Sequence, residues 1–202
     1  GRRSAVNVLV VYCHPSSGSF TAAVRDTAIA ALSEAGHATA EIDLYGEGFN
    51  PVMSAEERQG YHDEATNLAP FERHAELLRW AEMVVFVYPT WWYGPPAMLK
   101  GWLERVMVPG FAFKMPTKHR GSRPNLTNIR RLLVLTTCGA TPFVSWIMGQ
   151  PGRKTLLRGF RSVCHVRCRT GFLALYKMDS VSETARRRHL QRVRRTVLAI
   201  RP

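Results

Sequence analysis

The chain has 202 residues, 46% hydrophobic and 21% charged, which is enough for one full core in one domain without disulfide or metal staples. Its formal net charge of +13 is unevenly placed: residues 1–100 hold 7 Lys/Arg against 12 Asp/Glu, and residues 101–202 hold 21 against 3. No leader or spanning helix is expected, because the opening apolar run, residues 5–12, is interrupted by Asn7 and falls far short of the roughly 20 residues a bilayer requires.

Gly1 in place of a starting Met is read as processing, so residues 1–4 are set aside and a single domain is expected over residues 5–202. Residues 6–12 (VNVLVVY) form a nearly continuous β-branched run, the pattern of a strand buried on both faces of a parallel sheet. A loop of small residues, 14–19, follows, and Phe20, Val24, Ala28 and Leu32 then recur at helical spacing up to Gly36, a C-terminal stop. Residues 37–44 alternate as a second strand, with Ala38, Ala40, Ile42 and Leu44 on one face. Phe71, Ala75 and Leu78 mark a helix starting near Pro70, residues 83–88 a third strand, and residues 97–107 a helix entered through Pro95-Pro96, whose fixed φ suits a first turn. Residues 132–136 form a fourth strand and a fifth lies within 163–176. The last helix opens with Ser180-Val-Ser-Glu183, a capping-box pattern, and turns Leu190, Val193, Val197 and Ile200 inward. Alternation through five rounds gives a doubly wound α/β fold. Two connections, 45–69 and 111–128, show little periodicity; long excursions of this kind are often functional, and the first is expected to be a lid or partner-contact loop.

In such a fold the ligand crevice lies at the carboxyl ends of the strands, so the loops there carry the functional reading. After the third strand come Trp91, Trp92 and Tyr93, a platform for something flat and conjugated; the same rings would also suit a loop packed under a neighbouring element or at a dimer contact. After the first strand, His14-Pro-Ser-Ser-Gly-Ser19-Phe20-Thr21 places small hydroxyls and a glycine at a helix amino end, a seat for phosphate that is neither a dinucleotide fingerprint nor a P-loop. After the fourth, Thr136-Thr137-Cys138-Gly139 lets backbone amides approach a ligand closely, which can stabilise developing negative charge. Together the three loops suit a flavin.

Of the four cysteines Cys13, Cys138, Cys164 and Cys168, the first two fall where apolar strands would end, which suits small buried thiols in the reducing interior of a cytoplasmic protein. Cys164-His165-x-x-Cys168 lacks the second ligand pair that zinc would require, so no metal is expected. The basic second half suits cofactor phosphates, nucleic acid or acidic lipid, or is simply solvated surface, 23 of the 28 basic residues being Arg. Nucleic acid is not expected, since no recognition motif accompanies the arginines of residues 186–195.

The chain resembles the flavodoxin-like NAD(P)H:quinone oxidoreductase family, flavodoxin-2 type, in His14-Pro15…Ser19-Phe20, Asp43-Leu44-Tyr45…Phe49-Asn50-Pro51, the run from Pro89 through Trp92-Tyr93-Gly94-x-Pro96 to Lys100-Gly101-Trp102-x-Glu104-Arg105-Val106, and Thr136-Thr137-x-Gly139. The matches run in order across nearly the whole chain. The resemblance implies a parallel sheet of order 2-1-3-4-5 with a flavin at its switch point. His14, Ser19, Phe20 and Thr21 would surround the phosphates; Pro89, Thr90, Trp91, Trp92 and Tyr93 would line the isoalloxazine; Thr136, Thr137 and Gly139 would face its N1/O2 edge. Trp92, Tyr93 and Gly139 are the residues assigned to the chemistry. Arg186 and Leu190 match positions near the adenine half of FAD, which favours FAD, with FMN as the alternative. The implied reaction is a ping-pong transfer of hydride from NAD(P)H to a quinone or similar flat acceptor in a homodimer, with segments 45–69 and 111–117 crossing to the partner. A Tyr and a His that assist charge relay in the best-known members are here Val144 and Gln150, so a side-chain relay is not expected. A rival reading is a regulatory subunit on a membrane transporter, its arginines meeting acidic protein or lipid.

Overall fold

The computed structural model describes residues 5–200. Residues 1–4, set aside above, and Arg201 and Pro202 of the expected domain lie outside the described residues. Five parallel strands, β1 (Asn7–Tyr12), β2 (Ala38–Asp43), β3 (Met83–Thr90), β6 (Arg131–Cys138) and β7 (Arg169–Leu175), form one sheet in the order β2-β1-β3-β6-β7. Counting only its own strands, that is the expected order 2-1-3-4-5. A two-stranded hairpin, β4 (Phe113–Lys114) with β5 (Arg123–Pro124), occupies the second excursion.

The central strands are apolar at consecutive positions because both faces are covered. Leu9, Val11, Val84 and Phe86 face α3 (Glu72–Trp80) and α4 (Ala97–Val106), while Val8, Val10, Met83 and Val85 face α1 (Phe20–Glu34) and α7 (Glu183–Leu198). β2 lies at an edge, and there only Ile42 is fully buried, which is why that strand alternates in sequence.

The motif around Trp102 has a packing explanation. A Cβ at Gly101 would overlap the Pro51 carbonyl, so the 45–69 connection rests directly on the α4 backbone. One position on, Trp102 is fully buried and its indole N–H donates to His74 Nδ1 at 3.1 Å. Nε2 of His74 then faces Glu47 at 2.8 Å. Arg105 completes the clamp: it pairs with Glu57 at 2.6 Å, donates to the Asn50 carbonyl, and lies over the rings of Phe49 and Phe71.

The excursion 45–69 is therefore docked, and it contains a helix absent from the sequence reading, α2 (Ala55–Gly60), opened by a complete Ser54–Glu57 capping box. None of its residues is buried, so no apolar period betrayed it. Two further short helices, α5 (Pro142–Ile147) and α6 (Pro151–Lys154), lead into a π-turn (Thr155–Gly159) and a 3-10 turn (Phe160–Val163). The last helix begins two residues later than its capping pattern indicated. Ser182 is the cap, accepting from the Ala185 N–H, and Glu183 is already in the first turn.

Candidate functional site

β1, β3 and β6 are neighbours, so the loops leaving their carboxyl ends lie side by side. Direct contacts join them: His14 and Trp91 ring centroids are 6.0 Å apart, the hydroxyls of Thr90 and Thr136 are 2.8 Å apart, and those of Thr21 and Thr137 are 3.4 Å apart. Residues from three distant stretches of sequence are thereby gathered at one edge.

In the first loop Ser19 caps α1 by accepting from the Ala22 N–H at 3.1 Å. The N–H groups of Phe20 and Thr21, in the first turn, have no helical carbonyl to meet, and the helix dipole adds to their attraction for an anion. Ser16 N–H lies 3.0 Å from His14 Nδ1, and burial, only partly offset by the Ser16 backbone, lowers the pKa of the ring, which favours the neutral form. The Thr21 hydroxyl is buried against Thr137, so Thr21 presents its amide rather than its side chain. On α7, the Arg186 guanidinium stands 6.0 Å from the Phe20 ring; Nη2 donates to the Met178 carbonyl at 3.4 Å, while Nε is buried without a hydrogen-bond partner among the described residues. Leu190, one turn on, packs half-buried against the same face. Between them is His189, missed in the sequence although it sits three residues from Arg186 on one helical face. It is buried, 6.1 Å from Phe20, and its pKa is lowered to about 4, first by desolvation and then by Arg192.

The second loop is a tight hairpin. Trp91 and Gly94 exchange both backbone hydrogen bonds, 3.1 and 3.0 Å, around Trp92 at φ 49° and Tyr93 at φ 63°. Two positive φ values in a two-residue turn define a type I′ geometry that normally takes Asn-Gly; bulky side chains there cost on the order of 1–3 kcal/mol each. The strain presents the rings outward. Trp92 is 94% exposed and Trp91 45%, which removes the alternative of a loop packed beneath a neighbouring element of this chain. Tyr93 is half-buried. Pro89 is buried within β3, opposite Thr137.

The third loop buries Thr136 and Thr137 and leaves Gly139 exposed. A Cβ at Gly139 would stand 3.0 Å from Asp179 Oδ2, so glycine keeps that backbone approachable. A narrow recess of about 30 Å³ is lined by Thr90, Tyr93 and Thr136, by Gln150, which was assigned above to a relay position, and by Arg153 and Tyr176, which sequence reasoning did not select. Gln150 lines this recess; Val144 does not and is exposed on α5. Beside it, α5 carries exposed Phe143, Trp146 and Ile147, the first two with stacked rings 6.4 Å apart. All four cysteines are free and buried. Among the described residues no cluster of three or more His, Cys, Asp or Glu side chains is placed to hold a metal ion, and no helix is long and apolar enough to cross a membrane.

Comparison with known proteins places the fold in a family. Residues 6–197 match the family model Flavodoxin_2, described as flavodoxin-like fold. NAD(P)H dehydrogenase (quinone) 1 of Rattus norvegicus is 33% identical over 148 residues, covering 65% of this chain and 53% of that protein. The chain spans about half the length of the curated relatives it matches. Among solved structures, Smu.1420 from Streptococcus mutans UA159 superposes with a TM-score of 0.85 at 29% identity, covering 96% of this chain and all of that one. The NAD(P)H:quinone oxidoreductase from Methanothermobacter marburgensis gives 0.83 at 26% identity, covering 97% and 99%.

Proposed function

The chain belongs to the flavodoxin-like NAD(P)H:quinone oxidoreductase family, and from that premise we propose that it is a flavin-dependent NAD(P)H:acceptor oxidoreductase that reduces quinones or similar flat acceptors by two electrons. The observation that carries this reading is the strained Trp91–Gly94 hairpin, which holds an almost fully exposed indole between a helix amino end and a loop of buried threonines. Backbone strain of this kind is retained where it serves a site.

The residues present fit a flavin nucleotide. The first-turn amides of α1, with Ser19 and His14, would hold phosphate; Trp91, Trp92 and Tyr93 would line the ring system; Thr136, Thr137 and Gly139 would border its pyrimidine edge. Beside Phe20, Arg186 has a buried Nε with no hydrogen-bond partner among the described residues, which supports a longer nucleotide tail along α7 and hence FAD over FMN. When bound, the flavin supplies hydride transfer between NAD(P)H and acceptor. The protein positions both substrates in turn against one flat face, so each must leave before the other enters.

A homodimer is supported by the apolar surface around the crevice. Phe143, Trp146, Ile147 and Trp92 are all exposed, a patch of the kind monomers rarely leave open. Solution scattering should return twice the chain mass.

The test of the whole reading is optical and kinetic. Purified protein should show flavin absorption, release FAD on denaturation, and oxidise NADH or NADPH in the presence of a soluble quinone. A well-folded preparation that stays colourless after incubation with FAD and with FMN would falsify it. Flavin retained without turnover would instead point to the regulatory reading.

A further inference from the structure

The family's relay residues are replaced here, yet the recess beside Thr136 is not without a charged group. Arg153 enters it from α6. Its Nη1 donates to Gln150 Oε1 at 3.0 Å, and its guanidinium lies 5.0 Å from the Phe172 ring centroid. Among the described residues it makes no ion pair. An arginine held by a neutral amide and an aromatic face has no carboxylate to neutralise it, so its charge, although partly screened by solvent, remains available to a group at the mouth of the recess.

Its placement is fixed by unusual backbone. Gln150 has φ 49° and ψ 55°, a left-handed conformation seldom adopted by a residue with a long side chain. Its N–H donates to the Ser145 carbonyl at 3.1 Å, which ties the corner to α5. Gly152 N–H donates to the Tyr93 carbonyl at 3.2 Å, and a Cβ at Gly152 would come within 3.2 Å of the Gly94 backbone. The strained corner at Gln150 and the strained hairpin at Tyr93 are thus locked to each other, and Arg153 follows immediately.

We propose that Arg153, braced by Gln150, is the fixed positive charge of the redox site, placed at the Thr136 edge to favour the reduced, more negative state of the bound flavin. This rests on the flavoprotein reading above. A charge preorganised at the edge where electron density accumulates stabilises the product of reduction without moving a proton. Gln150, unable to titrate, acts as a positioning residue for that charge. The Tyr176 phenol lines the same recess, and its pKa is raised by burial and by Cys138, with Arg153 opposing the rise.

The experiment is a dye-equilibrated reductive titration of the flavin-loaded protein, comparing wild type with Arg153→Gln, Arg153→Lys and Gln150→Leu. Arg153→Gln should lower the reduced-to-oxidised ratio at fixed potential about tenfold, or about 30 mV for a two-electron couple, with the affinity for oxidised flavin changed less than about threefold and the loss falling on the reduced form. Arg153→Lys should recover at least half of the shift, and Gln150→Leu should fall between Arg153→Gln and wild type. Arg153 is exposed, so the variants should fold, which thermal melting checks. An unshifted ratio in Arg153→Gln overturns the proposal, as do equal shifts in the Gln and Lys variants, which would indicate shape rather than charge. Failure of wild type to bind flavin overturns this proposal together with the proposed function, and absorbance alone distinguishes that case.

Discussion

Trp92 and Trp102 stand ten residues apart in sequence and illustrate two opposite uses of one side chain. Trp102 is on a regular helix, fully buried, and its indole N–H reaches His74; Trp92 is on a turn of unfavourable φ and almost fully exposed. The first lowers the free energy of the fold. The second raises it and is kept in place by the hairpin and by Gly152. The lesson is that stability and ligand capture are separated along this stretch of chain, one ending where Pro95-Pro96 lets the other begin.

The contrast can be broken most forcefully at its buried end. Trp102→Ala should cost about 3–5 kcal/mol of unfolding free energy, the range for a large core aromatic, and should leave His74 Nδ1 without its donor. Urea denaturation measures this, and a loss below about 1 kcal/mol would show that the buried indole is not the anchor described.

His189 sharpens the comparison, because it stands on the crevice side yet is as inaccessible as Trp102. Its folded pKa of about 4 lies below the unfolded value of about 6.5. The unfolded state therefore binds the extra proton first as pH falls. The stability that His189 contributes is complete above about pH 6.5 and is lost progressively towards pH 4, in total roughly 3 kcal/mol. His189→Leu should flatten the pH dependence of the melting temperature across that window, and an unchanged slope would place the acid sensitivity elsewhere.

The smallest effect is expected at Trp92. Trp92→Ala should change stability by no more than about 0.5 kcal/mol, as at other surface positions, while weakening flavin retention about tenfold, or about 1.4 kcal/mol. Fluorescence of the released flavin reads the second quantity. Equal flavin loss in Trp92→Ala and Trp102→Ala at matched stability would erase the distinction between platform and core.

Much of this was legible in the residues. The strands of the parallel sheet announce themselves because burial on both faces leaves no room for polar alternation, and the loop residues at their carboxyl ends follow from the topology. The missing parts have physical reasons. α2 and α5 bury one residue or none, so periodicity is silent, although the Ser54–Glu57 cap was written in the sequence. The last helix offered Ser180 and Ser182 to the same Glu183, and only the path of the chain selects between them. The type I′ turn is carried by Trp-Tyr instead of Asn-Gly, so no turn signature marks it. Arg153 was hidden for a different reason: its meeting with Thr136 and Tyr93 is a property of tertiary structure, and an arginine in an arginine-rich stretch carries no label.

The clamp on α4 has a mechanical corollary. That helix is tethered at its start to the aromatic hairpin through two prolines, and along its length Gly101 and Arg105 grip the strap that includes Pro51 and Glu57. A molecule pressing on the exposed rings therefore pushes on a lever whose far arm is bolted down. The hairpin has little freedom to recoil, and the load passes along the helix into the strap at Pro51 and Glu57, far in sequence from the point of contact.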